Sequence, residues 1–196
     1  MADVVARRGW RVAVHPLPPL LHNQPQQIAG EVRTLALELS ASYDDIAVAY
    51  ADCGTYGALD DVCARLAVPR LPGTDCYEVF AGAARMRALL EAEPGTYVLT
   101  DYLATSFHRS VVVELGLDRF PELRDDYFGH YRRVVWLAQH PSDRTRAAAE
   151  RAAGVLGLPL EVVVVGDALL EEALHEVIEH DCVPPVVPSL NSNSRA

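Results

Sequence analysis

What this 196-residue chain lacks narrows its chemistry first. No apolar run approaches the ~20 residues that a membrane-spanning helix needs, and Met1-Ala2-Asp3-Val4 opens without the basic stretch and hydrophobic core of a signal peptide. No segment matches the phosphate loops GxxxxGKS, GxxxxGKT or GxGxxG, and there is no serine nucleophile elbow. These absences remove the common nucleotide-binding and serine-hydrolase signatures. Positive charge is scarce: 17 Lys and Arg stand against 27 Asp and Glu, giving a net charge of −10. Such a balance argues against a nucleic-acid-binding surface and against an anionic membrane. Four cysteines occur and none forms a CxxC pair. In a chain read as cytoplasmic they are thiols or ligands rather than disulfides. Half the residues are apolar, and the length suits one domain or two small lobes with ample chain for a core.

The stretch Ile46 to Gly82 organises the rest. The apolar run Ile46–Ala51 predicts a buried strand that stops at Asp52-Cys53-Gly54-Thr55. A helix over 56–66 and a short strand near 69–71 follow, ending in Gly73-Thr74-Asp75-Cys76 before another helix. Twice a strand delivers an Asp-Cys pair to its carboxyl end, where ligands bind in open α/β sheets. A thiol at a helix N-terminus is also drawn towards thiolate by the macrodipole. Cys53 and Cys76 are therefore the leading candidates, with Asp52 beside them and Thr55 and Tyr77 flanking. The alternative is that both are small buried hydrophobes, as free cysteines usually are. Cys63 is expected to pack inward, and Cys182 has no helpful neighbours.

In chain order, residues 2–8 read as a helix end, Trp10–His15 as a strand, and 16–25 as a proline-rich loop holding His22 and Asn23. Residues 25–41 form an amphipathic helix with Ile28, Val32, Leu35, Leu37 and Leu39 on its apolar face. A helix over 76–92 ends at Pro94-Gly95. Thr96–Thr100 is a strand, 103–116 a helix capped by Gly116, 118–129 an aromatic connection, and 131–139 a strand. A helix over 141–156, a strand over 160–165 and a helix over 167–180 complete the order. The fold class is α/β, with two pseudo-symmetric lobes of parallel, Rossmann-like sheet flanked by helices. Residues 1–95 form the first lobe, 96–180 the second, and 181–196 a disordered tail.

Further candidates sit at the same kind of position. Thr100 and Asp101 end the first strand of the second half, where an Asp is equally a plain helix N-cap. His108 is expected to face solvent, and Gln139-His140-Pro141 ends another strand. Tyr127 and His130 lie in a segment too aromatic for a solvated linker, which predicts a lid over the cleft or a dimer contact.

The segments LPPLLHNQPQQI (Leu17–Ile28), YADCGTYGALD (Tyr50–Asp60), LPGTDCYEVFAG (Leu71–Gly82), LTDYLATSF (Leu99–Phe107) and Leu115–Gln139 resemble domain-of-unknown-function family 1638, over roughly residues 10–180. The resemblance implies a bacterial or archaeal protein, sometimes found beside corrinoid-dependent methyltransferases. It also implies an initial strand ending in Cys-Gly that this sequence lacks, so a truncated start is expected.

Three chemistries fit two thiols facing each other across a cleft. Cys53, Cys76 and His22 would make an open three-ligand site for zinc or an iron centre, or would hold a metallocofactor. Metal-free acid/base catalysis of the aspartate/glutamate racemase type is the second: Ala51–Thr55 is loosely similar to the first cysteine motif of those enzymes. Their second motif finds only Ala138-Gln139-His140 here. The third is a non-catalytic accessory or binding protein. The expected partner is a small molecule or metallocofactor, with a homodimer as the assembly.

Overall fold

Three runs rich in β-branched and aromatic strand formers become the sheet, as those side chains favour. A computed structural model describes residues 1–18 and 20–179. Strands β1 (Thr96–Thr100), β2 (Arg133–Ala138) and β3 (Leu160–Val164) pair in parallel in the order β1-β2-β3. The register sets Thr96 beside Arg133 and Val134 beside Leu160. The central strand is buried from Val134 to Ala138, as expected for a parallel strand covered on both faces.

The helices form around this sheet in chain order. They are α1 (Ala2–Arg8), α2 (Pro25–Leu39), α3 (Ala58–Leu66), α4 (Cys76–Ala81), α5 (Ala83–Ala92), α6 (Asp101–Phe107), α7 (Leu123–Phe128), α8 (Asp143–Leu156) and α9 (Ala168–Ile178). Leu99, Val134, Trp136 and Ala138 pack on one face of the sheet with Ala104 and Phe107 of α6 and the alanines of α8. Val98, Val135 and Leu137 pack on the other with Ala81 of α4 and Met86 of α5. The Ala-rich α8 starts at a capping box, in which Ser142 and Thr145 exchange side-chain and backbone bonds, and stops at left-handed Gly157.

The first half departs from the sequence reading. Residues 46–51 and 69–71 run parallel, but only Val48 and Arg70 form a bridge. Pro69 and Pro72 lack the N–H that a longer ladder requires. Trp10–His15 is not a strand and pairs with no strand among the described residues; Trp10 stacks on His175 instead, with centroids 6.1 Å apart. The helix expected over 76–92 breaks into α4 and α5 at Gly82, whose φ of 80° and ψ of 142° no helix allows. The helix expected at 103–116 starts earlier, at Asp101, because Thr100 caps it, and widens into a π-helical turn over His108–Val113. The connection 118–129 contains α7. On α2 the buried line is Ile28, Val32 and Ala36, four residues apart, while Leu37 turns to solvent.

The C-terminal helix completes the N-terminal half. Leu170, Ala173, Leu174 and Val177 of α9 share a core with Val4, Ala51, Leu71 and Val79. Arg7 ties this docking through ion pairs to Asp167 at 2.7 Å and Glu171 at 2.5 Å. Among the described residues no helix is long and apolar enough to cross a membrane. The tail from 181 onward and Cys182 lie outside the described residues.

Candidate metal and thiol centre

Three loops, none on the three-stranded sheet, bring His22, Cys53 and Cys76 together. His22 lies on a single 3-10 turn, Leu21–Asn23, inside the proline-rich loop. Cys53 leaves the Val48–Arg70 bridge into a turn, and its N–H donates to the Thr74 carbonyl at 2.8 Å. Cys76 is the first residue of α4, capped by Asp75, whose carboxylate accepts the Glu78 N–H. The two cysteines therefore end adjacent parallel segments, as their spacing suggested. The supporting pairing is one bridge rather than a sheet edge, which corrects the expected placement.

Their ligand atoms all lie within 4.8 Å of one another. Two ligands of a single tetrahedral zinc stand roughly 3.5–4 Å apart, given ~2.3 Å metal–sulfur bonds.

Cys53 does not sit at a helix N-terminus, contrary to the reading from sequence. It is followed by four residues of turn before α3, and its own φ is 49°. A non-glycine in this left-handed region costs roughly 1–2 kcal/mol, and such strain gathers at functional sites. Its thiolate is stabilised from elsewhere. The neighbouring Cys76 thiol acts first, His22 second and the Cys76 backbone N–H third; against burial, these pull the Cys53 thiol down to about 5. Cys76 is pushed far up, first by Cys53 and then by burial. The two shifts favour negative charge on Cys53 rather than on Cys76. Cys63 is buried on α3 and its thiol is pushed up by desolvation, as expected of a packing residue.

Sequence reasoning missed Tyr50. Its hydroxyl meets His22 Nδ1 at 2.7 Å, and the two rings lie 5.0 Å apart. That contact orients the imidazole and leaves Nε2 as the nitrogen for a metal or thiolate, the usual arrangement around ligating histidines. Burial first, and then the two cysteines, push the Tyr50 hydroxyl upward, so it stays protonated. The only signal was a lone polar aromatic in an otherwise aliphatic run.

The remaining candidates divide by location. Asp52 spends its carboxylate on the turn after Cys53, accepting from the Thr55 hydroxyl and from the N–H groups of Tyr56 and Gly57. These bonds hold it below its ordinary range, led by that from Thr55. Thr55 in turn accepts the Leu59 N–H. Asn23 donates to the Ser110 carbonyl at 3.1 Å, fastening the His22 loop to the π-helical turn. Tyr77 lies beside the thiols, pushed up chiefly by its own burial and next by Cys76.

The second-half candidates do not join the group. Asp101 accepts from Trp136 Nε1 at 2.8 Å and from the His140 N–H at 2.7 Å, stapling β2 to α6. Thr100 accepts the Leu103 N–H as that helix's cap. Tyr127 is exposed, while Phe128 is buried against Tyr97 and Tyr131. His130 lies over Tyr131 with centroids 4.3 Å apart. His108 is exposed, as expected, and the His140 ring pairs with Asp167.

A family described as "Protein of unknown function (DUF1638)" matches residues 16–174. The chain belongs to this family. The match spans all three members of the thiol–imidazole group, so this DUF1638 chain carries its candidate centre within the family region. No curated protein and no solved structure matches the chain.

Proposed function

We propose that this DUF1638 protein binds a thiophilic metal ion, zinc or iron, or a metallocofactor, through Cys53, Cys76 and His22. One observation carries the reading: two thiols and an imidazole from separate loops come within 4.8 Å, on a backbone strained at Cys53. The donor set fits such an ion, since two sulfurs and one nitrogen leave a fourth position open for a small ligand. A bound ion would supply Lewis acidity there. The chain's own contribution is to hold one thiolate ready and to orient His22 through Tyr50.

The aspartate/glutamate racemase reading gains less support. Two bases flanking one reacting carbon would stand roughly 6–7 Å apart, twice a near-attack distance. Here the two sulfurs lie within 4.8 Å of each other. A non-catalytic accessory role, with the same ligands and no turnover, remains a version of the metal reading. Service to corrinoid-dependent methyl transfer, cytoplasmic location and homodimerisation belong to the same proposal. So do the two lobes at 1–95 and 96–180, with α9 crossing back onto the first.

Elemental analysis of protein purified without a metal-binding tag tests the proposal. We expect near-stoichiometric zinc or iron that is lost in Cys53→Ser, Cys76→Ser protein. Equal metal content in both proteins would sink it.

A further inference from the structure

The cleft beside the thiols has a chemistry of its own. A cavity of about 510 Å³ lies between α4, α5 and β1, within the size range of small-molecule sites. Ala83, Met86, Arg87 and Leu90 line it at one-turn spacing, so α5 lays one face along it for ~10 Å. Asp75 and Tyr77 line it as well. Neither sulfur lines the cavity, but Tyr77, which does, lies close enough to Cys76 and Cys53 to feel their charge.

The donors left unspent in this cleft are one guanidinium and three phenols, beside one unused oxygen each on Asp75 and Glu78. Asp75 and Glu78 have each given an oxygen to the α4 cap, accepting the N–H groups of Glu78 and Thr74. Thr96 donates to the Glu93 carbonyl and accepts from Arg133. Arg87 has neither ion-pair nor hydrogen-bond partner among the described residues. The hydroxyls of Tyr77, Tyr97 and Tyr131 likewise bond to no described residue, and none is sealed from solvent. Phenols are neutral donors at pH 7, and a guanidinium offers a planar fork that matches a carboxylate.

We propose that the cleft binds a small organic carboxylate, with its oxyanion held by Arg87 and the tyrosine hydroxyls and its apolar body against Met86, Leu90 and Val98. The proposal rests on the thiol–imidazole reading only for the cleft's role as that centre's substrate pocket. Binding itself requires no metal.

The test is calorimetric titration of the metal-free full chain with three probes sharing one aromatic body: phenylacetate, phenyl phosphate and benzyltrimethylammonium. Phenylacetate should bind tightest. Arg87→Gln should weaken it by about tenfold or more, and Tyr77→Phe by several-fold, as for hydrogen bonds to a charged group. Cys53→Ser, Cys76→Ser protein should bind it as the unaltered chain does, which separates this result from the fate of the metal reading. Arg87 is exposed and Tyr77→Phe keeps the ring, so both variants should melt normally. No phenylacetate binding, tighter binding of either other probe, undiminished binding in Arg87→Gln, or loss in the double cysteine variant would each overturn the proposal.

Discussion

The sulfurs of Cys53 and Cys76 lie within 4.8 Å of each other, and the thiol and backbone N–H of Cys76 favour negative charge on Cys53. Each cysteine was expected to draw on its own helix. Instead the first residue of α4 serves the thiol of another loop, and the pair becomes a single electrostatic unit.

That unit predicts unequal reactivity. In metal-free protein, iodoacetamide should label Cys53 with a midpoint near pH 5, while Cys76 and Cys63 stay slow at pH 7 because both thiols are pushed up. Pulse labelling read by peptide mass spectrometry checks this. Equal labelling of the three would show that Cys76 does not favour charge on Cys53.

The same shifts set a stability profile. Between about pH 5 and the ordinary thiol value of 9.0, native Cys53 is ionised and its unfolded counterpart is not, so this contribution to stability rises with pH. Above that value unfolded Cys76 ionises while native Cys76 keeps its proton, so the gain reverses. Denaturant midpoints of metal-free protein should therefore show a rise and fall that Cys53→Ser, Cys76→Ser protein lacks.

Tyr50→Phe should weaken metal affinity about 10–100-fold with little change in fold, because His22 loses the partner that fixes its ring. Competition against a chromogenic chelator measures it. Unchanged affinity would mean that Tyr50 merely packs.

Asp101→Ala should lower stability by roughly 1–3 kcal/mol, since it strands the buried Trp136 N–H and frees the loop at His140. Metal content should not change, because Asp101 accepts from β2 and its loop and lies outside the thiol–imidazole group. Loss of metal in a protein that still melts cooperatively would instead tie Asp101 to the centre.

Tyr127 and Phe128 should separate cleanly. Phe128→Ala should cost about 3–5 kcal/mol, as it empties a buried site among Tyr97 and Tyr131. Tyr127→Ala, on the exposed side of α7, should stay within about 0.5 kcal/mol. Equal costs would contradict the packing; weakened ligand binding in Tyr127→Ala alone would restore the lid reading.

By itself the sequence determined the elements whose signals are local. Valine-rich runs bounded by polar residues marked β1, β2 and β3, and the Ser142 cap marked α8, because strand propensity and capping act over a few neighbours. The Asp-Cys repeats likewise marked the two thiols. Tertiary structure alone decided the rest. Whether residues 46–51 find a full ladder depends on what lies beside them, and prolines at 69 and 72 limit that to one bridge. Asp101 reads as an acid in the chain, yet it serves as an acceptor for a strand that begins more than thirty residues later. Tyr50 opens one of the family segments yet nothing local marks its role, and only the path of the proline-rich loop brings His22 to its hydroxyl. Which thiol holds the charge was also beyond the chain's reach, because a pKa is set by the donors that folding gathers around a sulfur, and those of Cys53 come from residues 22 and 76.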